Sequence, residues 1–281
     1  MTTAFVLSGG GSLGSVQAGM LLALAERDIT PELLVGTSVG AVNAAWLAGH
    51  PRLNGARTLG EVWRTVRRAD VFPARPLVGF LGFAGRRDHL VSAGPLRALL
   101  RRHLTFDRIE QSPVPLHVVA TDLASGEEVL LSTGDVVDAV AASSAIPGVF
   151  PPVNLDGRML VDGGVSNDVP IAHAVERGAT TVYVLPTGYA CGLQRPPASA
   201  LGVAMQSLTL LLQQKLGADI ARFSQVVDLR VLPPICPLAV APIDFSHSAE
   251  LIKRSHELSA SWLERDDWTS AADMLSLHRH E

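Results

Sequence analysis

The sequence is poor in cysteine, carries no excess of positive charge and contains no long apolar run. Its two cysteines, Cys191 and Cys236, are too few for a disulfide framework, and neither lies in the spacing of a metal site. We therefore expect two reduced thiols and no metal or other cofactor. The formal net charge is -4 and the 23 basic residues are scattered, so the chain lacks the positive field that binds nucleic acid.

The N-terminal residues lack the features of a targeting signal. Residues 1–7 include no lysine or arginine, and glycines interrupt the apolar stretch from Gly9 onward, which argues against a signal peptide. No apolar run is long enough to cross a bilayer. We expect a cytoplasmic protein, and since 47% of its residues are hydrophobic, peripheral contact with a membrane remains open.

Short apolar runs alternate with helical patterns, which is typical of an α/β fold with a mainly parallel central sheet. The first strands are predicted at 4–7 and 33–35, each followed by a helix, at 15–27 and 39–48. Further predicted elements are strands at 116–120, 158–161, 181–185 and 226–231, and helices near 92–103, 135–142, 168–177 and 246–265. A chain of 281 residues without a linker composition fits a single domain, 1–281.

Three further segments have a local pattern of their own. Asp156-Gly157 between two short β-like runs predicts a hairpin turn. Residues 71–90 mix phenylalanine and arginine with proline and glycine, so we interpret them as a long loop or lid that could touch a membrane. The leucine-rich helix predicted at 204–216 either packs in the core or covers a pocket.

The first chemically informative segment is Gly9 to Gly14, with the sequence GGGSLG, between a predicted strand and a predicted helix. Glycines let backbone N–H groups point into one space at a helix N-terminus, where the dipole favours an anion or a developing oxyanion. The segment also matches the dinucleotide pattern GxGxxG, but the second strand lacks the terminal carboxylate that would bind a ribose. A plain tight turn is the alternative without function.

The second segment is Gly36 to Gly40, with the sequence GTSVG, again at a strand-to-helix junction. A nucleophile elbow needs small neighbours because its backbone is folded sharply, which leaves the serine hydroxyl exposed at the helix start. Such five-residue strings also occur by chance in a glycine-rich chain. The strand-to-helix context favours Ser38 as a nucleophile.

The third segment, Asp162-Gly163-Gly164, follows the apolar strand predicted at 158–161. A carboxylate at a strand end can lie against the end of another strand, where open α/β sheets place their sites. Asp162 is then available to Ser38 as a base. An ordinary Asp-Gly turn is the alternative, and Asp122, which also ends a predicted strand, is the rival carboxylate.

Together these residues resemble the patatin-like phospholipase family, whose members carry a glycine-rich loop near the N-terminus, a GxSxG elbow and a later DG[GA] motif. The resemblance extends to Asp122 in the string ATDL, to SSAIPGVFPP at 143–152, and to Asn167 and Pro170. It covers about 4–186, and residues 187–281 would complete or cover the same domain with helices and strands. It implies a three-layer α/β/α sandwich.

The resemblance also implies a hydrolase of lipid or other carboxylic esters with a Ser-Asp dyad. Ser38 would attack the acyl carbonyl, Asp162 would accept its proton, and backbone amides around Gly10 and Gly11 would bind the oxyanion. The three loops would be shaped by the motif glycines, namely Gly9, Gly14, Gly36, Gly40, Gly163 and Gly164. Leu13 stands where family members often carry Arg or Lys, and Ser8 stands where many carry Asp. How a phosphate headgroup would be held therefore stays open.

Three alternatives remain at this point. An α/β-hydrolase triad would follow the order Ser, acid, His and could use His173, His247 or His256. Ser38 comes earlier than the elbow of that fold, and the last two histidines lie in a polar segment. A nucleotide-binding oxidoreductase would use the glycine loop for pyrophosphate. A non-catalytic lipid-binding protein would keep the fold without turnover.

Overall fold

An eight-stranded sheet forms the middle layer in a computed structural model of the chain. The structure describes residues 1–73, 88–188, 200–236, 238 and 240–265. The strands of the sheet are β1 (Thr3–Leu7), β2 (Leu33–Thr37), β3 (Leu116–Asp122), β4 (Glu128–Leu131), β5 (Val153–Leu155), β6 (Arg158–Asp162), β7 (Thr181–Leu185) and β8 (Asp228–Val231).

The helices that flank this sheet are α1 (Gly14–Ala25), α2 (Val39–Gly49), α3 (Leu53–Thr65), α4 (Arg68–Val71), α5 (Gly94–His103), α6 (Val136–Ser143), α7 (Ile171–Glu176), α8 (Ala200–Phe223) and α9 (Ser248–Leu263). Short 3-10 turns lie at Gly11–Leu13, Ile109–Gln111 and Gly163–Val165. Among these described helices, none combines the length and the apolar character that crossing a bilayer requires.

The strand order is β5-β6-β3-β2-β1-β7-β8, with β4 also paired to β3. From β3 to β8 the neighbours are parallel, whereas β4, β5 and β6 pair in the antiparallel direction. The prediction of a mainly parallel central sheet is therefore confirmed, and the antiparallel edge is an addition to it.

Both faces of the sheet are buried, because successive side chains of a strand point to opposite sides. In β1, Phe5 and Leu7 pack in one apolar cluster with helices α1, α2 and α9. Ala4 and Val6 pack in a second cluster with helices α7 and α8. Two cores on opposite faces of one sheet make the three layers that the resemblance implies.

The register of the strands brings three chain segments to one place. Leu7 at the end of β1 pairs with Gly36, and Thr37 pairs with Val119 of β3. The antiparallel strand β6 pairs Asp162 with Ala120 of β3. The segments that follow β1, β2 and β6 therefore emerge side by side at the carboxyl edge of the parallel strands, where such sheets place their sites.

Most element predictions are confirmed within a few residues, including the hairpin. Asp156 and Gly157 join β5 to β6 with φ angles of 50° and 81°, as a type I′ turn requires at both positions. The predicted strand at 226–231 begins only at Asp228. The loop predicted at 71–90 lies mostly outside the described residues.

One expectation about the cysteines is wrong. Cys236 is disulfide-bonded, whereas the sequence predicted a reduced thiol there. Cys191 lies outside the described residues. Two cysteines without a framework spacing give no sequence signal of pairing, because pairing depends on how closely the fold brings two Cα atoms together.

Candidate active site

Ser38 occupies a strained turn between β2 and α2. Its φ and ψ are 54° and -124°, a conformation that a residue with a side chain adopts at a cost of about 1–3 kcal/mol. The turn is tight because a Cβ on Gly36 would lie 2.6 Å from the backbone O of Gly40. A Cβ on Gly40 would lie 2.2 Å from the backbone O of Leu7. Only glycine fits these positions, which explains the GxSxG spacing.

Ser38 and Asp162 meet directly. The Ser38 hydroxyl donates a hydrogen bond of 2.7 Å to Oδ2 of Asp162, and Oδ1 of Asp162 accepts one of 2.8 Å from the N–H of Gly164. Both side chains are 7% exposed. The N–H of Ser38 donates to Oγ of Ser143 at 2.8 Å, and that hydroxyl donates to the backbone O of Val119. The hydroxyl is therefore held against a carboxylate in a site that excludes most water.

Burial changes the acid strength of this carboxyl. It raises the pKa of Asp162 from 3.8 to about 7, because the charged form loses its hydration. The hydrogen bonds from Ser38 and Gly164 act in the opposite direction, and the charge of Asp168 raises the pKa further. Near neutral pH, Asp162 is thus poised between its two protonation states.

The glycine loop presents free backbone donors beside Ser38. Gly10 and Gly11 have φ angles of 145° and 61°, which favour glycine. Of the hydrogen bonds among the described residues, none uses the N–H of Gly10 or Gly11. A Cβ on Gly9 would lie 3.3 Å from Cβ of Ser38, so the loop passes directly over the serine.

Buried polar side chains fix the position of this loop. Thr187, which follows β7, donates from its hydroxyl to the backbone O of Gly9 at 2.5 Å. The amide of Gln17 donates to the backbone O of Ser8 at 2.9 Å, and Asn43 donates to Gln17 at 2.8 Å. Trp63 donates from its indole N–H to Oδ1 of Asn43 at 2.9 Å. The loop is thereby tied to α1, α2 and α3.

Asp168 is a site residue that sequence reasoning missed. Its Oδ1 accepts a hydrogen bond of 3.1 Å from the N–H of Gly9. A Cβ on Gly164 would lie 3.1 Å from Oδ1 of Asp162 and 3.3 Å from Oδ1 of Asp168, so two carboxyls flank that glycine. Burial raises the pKa of Asp168 to about 6, against the hydrogen bond from Gly9 and the charge of Lys215. In the sequence, the signal that could have indicated Asp168 was the presence of a second carboxylate six residues after Asp162.

An apolar cavity opens next to Ser38. Ser38 and Gly11 line it at one end, and the remaining walls come from one face each of α2, α3 and α5, together with Val71, Phe72, Ser144, Ile146, Phe150 and Phe245. Nearly all of these side chains are apolar. A cavity of this kind accepts hydrocarbon rather than a polar or charged group.

The rival carboxylate and the candidate histidines are engaged elsewhere. Asp122 accepts hydrogen bonds from the N–H groups of Ala124 and Ser125, which lower its pKa. His173 contacts Glu128 at 2.5 Å and His256 contacts Glu26 at 2.7 Å. Across the described part of the chain, no histidine hydrogen-bonds to Ser38 or Asp162. Among the described residues, the geometry thus places Ser38 beside Asp162 and beside none of the histidines.

The same residues offer little to a metal ion. Within the described ranges, no group of three or more His, Cys, Asp or Glu side chains is arranged to hold one. The end of β2 also carries no carboxylate, and Thr37 there donates to the backbone O of Asn167 at 2.9 Å. That contact ties the serine turn to the loop that carries Asp162 and Asp168.

Comparison with known sequences gives a family match. A family model described as patatin-like phospholipase matches residues 5–175. An uncharacterized NTE family protein of Mycobacterium bovis is 31% identical over 169 residues, which are 60% of this chain and 44% of that protein. Patatin-like phospholipase domain-containing protein 7 of Mus musculus is 27% identical over 66% of this chain and 13% of its own length. The chain thus spans less than half the length of these curated relatives.

Comparison with solved structures gives the same architecture. The complex of full-length SpcU with full-length ExoU, from the type III secretion system of Pseudomonas aeruginosa, matches with a TM-score of 0.50 and 16% identity. The match covers 94% of this chain and 52% of that chain. At this identity the likeness shows the fold alone.

Proposed function

The chain belongs to the patatin-like phospholipase family, and on this premise we propose that it hydrolyses carboxylic ester bonds of lipids through Ser38 and Asp162. The observation that carries the proposal is the 2.7 Å hydrogen bond from the Ser38 hydroxyl to Asp162, at the sharp turn between β2 and α2. A hydroxyl in direct contact with a carboxyl group supports these two roles, because serine chemistry requires a base beside the nucleophile.

The reaction proceeds in two steps. Ser38 Oγ attacks the ester carbonyl carbon while its proton passes to Asp162 Oδ2, and the tetrahedral intermediate then expels the alcohol, which takes the proton from Asp162. This leaves an acyl group on Ser38 and an ionised Asp162. Water gives a proton to Asp162 as its oxygen attacks the acyl carbonyl, and the fatty acid leaves as Ser38 recovers the proton.

Burial of Asp162 supports its role as the base. An aspartate with a pKa of 3.8 would be a weak proton acceptor for a serine hydroxyl, whereas burial raises the pKa of Asp162 to about 7. General bases work best with a pKa near the working pH. The same burial therefore gives a carboxylate the base strength that a histidine supplies in a triad.

The glycine loop is suited to stabilise the charge on the carbonyl oxygen. The N–H groups of Gly10 and Gly11 have no hydrogen-bond partner among the described residues, and Gly11 lines the cavity next to Ser38. Removal of one such donor typically slows a hydrolase by roughly a hundredfold to a thousandfold. We assign these two amides as the oxyanion hole.

The apolar cavity supports a lipid rather than a small polar ester. Its lining is hydrocarbon apart from a few groups near Ser38 and the ring of His103. Burial and the charge of Arg102 lower the pKa of His103, so this ring is neutral at physiological pH. An acyl chain can therefore enter without facing a buried charge.

Fluorophosphonate labelling tests the assignment of the nucleophile. The wild type should be labelled and should hydrolyse ester substrates, whereas Ser38→Ala should lose both properties. Ser255→Ala is a matched control, because it removes another buried hydroxyl from α9, away from the site. Labelling of Ser38→Ala at the wild-type rate would refute the dyad, and loss of labelling in a His173→Ala variant would favour a triad.

We also propose peripheral contact with a lipid surface next to the site. Val165 and Leu211 are 58% and 63% exposed, and Lys215, one turn after Leu211, donates to the backbone O of Ser166. Both apolar side chains thus lie beside the loop that carries Asp162. Leu211→Asp should weaken co-sedimentation with phosphatidylcholine vesicles, whereas Leu258→Asp on α9 should not. Equal binding of both variants to the vesicles would contradict this surface contact. A cytoplasmic location stays a prediction.

A further inference from the structure

The apolar cavity has a definable length, because two turns of each of three helices form its walls. The α2 wall consists of Val39, Val42, Asn43 and Trp46. The α3 wall runs from Leu59 to Val66, which follows the last residue of the helix, and the α5 wall from Leu96 to Leu104, which likewise follows its helix. At a rise of about 1.5 Å per residue, each wall is roughly 10–12 Å long.

Helices α2 and α3 run along the cavity in opposite directions. Ser38 marks the end at which α2 begins. Trp63, late in α3, lies at this same end, because a Cβ on Gly14 of the glycine loop would be 2.8 Å from its ring. Gly55, early in α3, lies at the opposite end, where its backbone O accepts the indole N–H of Trp46 at 3.0 Å. α3 is therefore antiparallel to α2.

Trp46 and His103 line the end of the cavity that is far from Ser38. The centroids of their rings are 6.0 Å apart. Trp46 also stacks on His50 at 4.5 Å with an interplanar angle of 19°, and His50 does not line the cavity. Stacking on His50 and the hydrogen bond to Gly55 thus hold the indole in one orientation, so it forms a rigid part of the wall.

We propose that Trp46 limits the acyl chain of the substrate to about eight to ten carbons. This rests on the proposed function, with the ester carbonyl at Ser38 and the chain extending along α2. A saturated chain lengthens by roughly 1.3 Å per carbon, given carbon–carbon bonds of about 1.5 Å. A cavity about 10–12 Å long is then filled by roughly eight or nine carbons, and a longer chain meets the indole.

A series of p-nitrophenyl esters from butanoate to hexadecanoate, kept below their aggregation concentrations, measures this limit. Each methylene that enters the cavity should raise kcat/KM by about fourfold. The rise should stop near decanoate, and dodecanoate and longer esters should be cleaved more slowly. A kcat/KM that keeps rising to hexadecanoate would overturn the limit.

Variants of the closed end test whether Trp46 sets the limit. Trp46→Leu should move the best substrate to chains about two to four carbons longer, and Trp46→Phe should keep it within about two carbons of wild type. Trp262→Leu is the matched control, because Trp262 is as buried as Trp46, at 8% against 7% exposed, and lies outside the cavity. A profile that Trp46→Leu leaves unchanged would overturn the assignment.

A variant at Val42 keeps the test valid if Trp46→Leu does not fold. Val42 lines the cavity one turn closer to Ser38, so Val42→Phe should shorten the best chain by about four carbons. An unaltered profile in this folded variant would also overturn the assignment. Absence of hydrolysis at every chain length, with no labelling of Ser38, would instead refute the proposed function, and the chain-length limit with it.

Discussion

Replacing Asp162 by asparagine should stabilise the protein while it removes most of the ester hydrolysis. The amide has almost the shape of the carboxylate, so its Oδ1 can accept the N–H of Gly164 and its Nδ2 can donate to Ser38 Oγ, in place of the two bonds now present. The base is lost, however, and general-base catalysis typically contributes roughly 10²–10⁴-fold. The variant therefore separates stability from activity at one buried side chain.

The size of the stabilisation follows from the pKa of Asp162. Burial raises this pKa from 3.8 to about 7, a difference of about three units, and each unit corresponds to about 1.4 kcal/mol. Above pH 7 the wild type thus holds a buried carboxylate that costs about 4 kcal/mol of unfolding free energy. Burying the amide also has a cost, so we expect a net gain of about 2–4 kcal/mol for Asp162→Asn at pH 8.

The sign of the pH dependence is fixed by linkage. Because the folded pKa of Asp162 lies above its unfolded value, the neutral carboxyl favours the folded state, and this contribution is complete below pH 3.8. It is lost progressively as the pH rises towards 7 and is absent above that value. The gain of Asp162→Asn over wild type should consequently be about 2–3 kcal/mol larger at pH 8 than at pH 5.

Urea unfolding of both proteins at the two pH values measures this difference. Asp122→Asn is a suitable control, because the pKa of that carboxyl is lowered rather than raised, so the amide should not stabilise the protein. A gain for Asp162→Asn that is equal at pH 5 and pH 8 would refute the reasoning, since a pH-independent gain cannot come from the ionisation of the carboxyl.

Further predictions concern rate and packing. The kcat/KM of the wild type should fall tenfold per pH unit below about pH 7, because only the ionised Asp162 accepts a proton; a flat profile down to pH 5 would contradict this. Asp168→Ala should lower kcat with little change in KM, because it releases the N–H of Gly9. Asp168→Asn can still accept that N–H and should retain more activity. It should also shift the midpoint of the kcat/KM profile to lower pH, because the charge that raises the pKa of Asp162 is removed. Gly40→Ala should destabilise the protein by about 1–3 kcal/mol in thermal unfolding, because its Cβ would lie 2.2 Å from a backbone oxygen. Gly60→Ala on α3 is the control. Its Cβ would have its nearest contact at 3.6 Å, so it should stabilise the protein by up to about 1 kcal/mol.

The parts of the site that the sequence predicted are those that depend on local geometry. A sharp turn after a strand requires glycine around Ser38, and a loop with positive φ requires glycine at Gly10 and Gly11. These requirements produce short sequence motifs in a fixed order, which can be recognised from the sequence alone. The parallel strands were predicted for the same reason, because each is a short apolar run buried on both faces.

The parts that were missed depend on contacts between distant segments. Asp168 acquires its place only when the loop after β6 meets Gly9, 159 residues away. The Gln17–Asn43–Trp63 hydrogen bonds likewise join three helices, and no spacing within one helix indicates them. The disulfide of Cys236 belongs to the same class. The edge strand β4 has half-buried residues at all four positions, so it lacks the alternation that marks a strand in sequence.

The hydrogen bond from Ser38 to Asp162 spans 124 residues of chain and links a parallel strand to an antiparallel one. On the proposed function, Ser38 of an incompletely folded chain is therefore an ordinary, unreactive alcohol, because Asp162 reaches it only after β6 has paired with β3. Such long-range pairing is among the slow events of folding. Reactivity towards a fluorophosphonate would thus report the moment at which β6 joins β3, and a nascent chain that has not yet exposed β6 would not cleave esters.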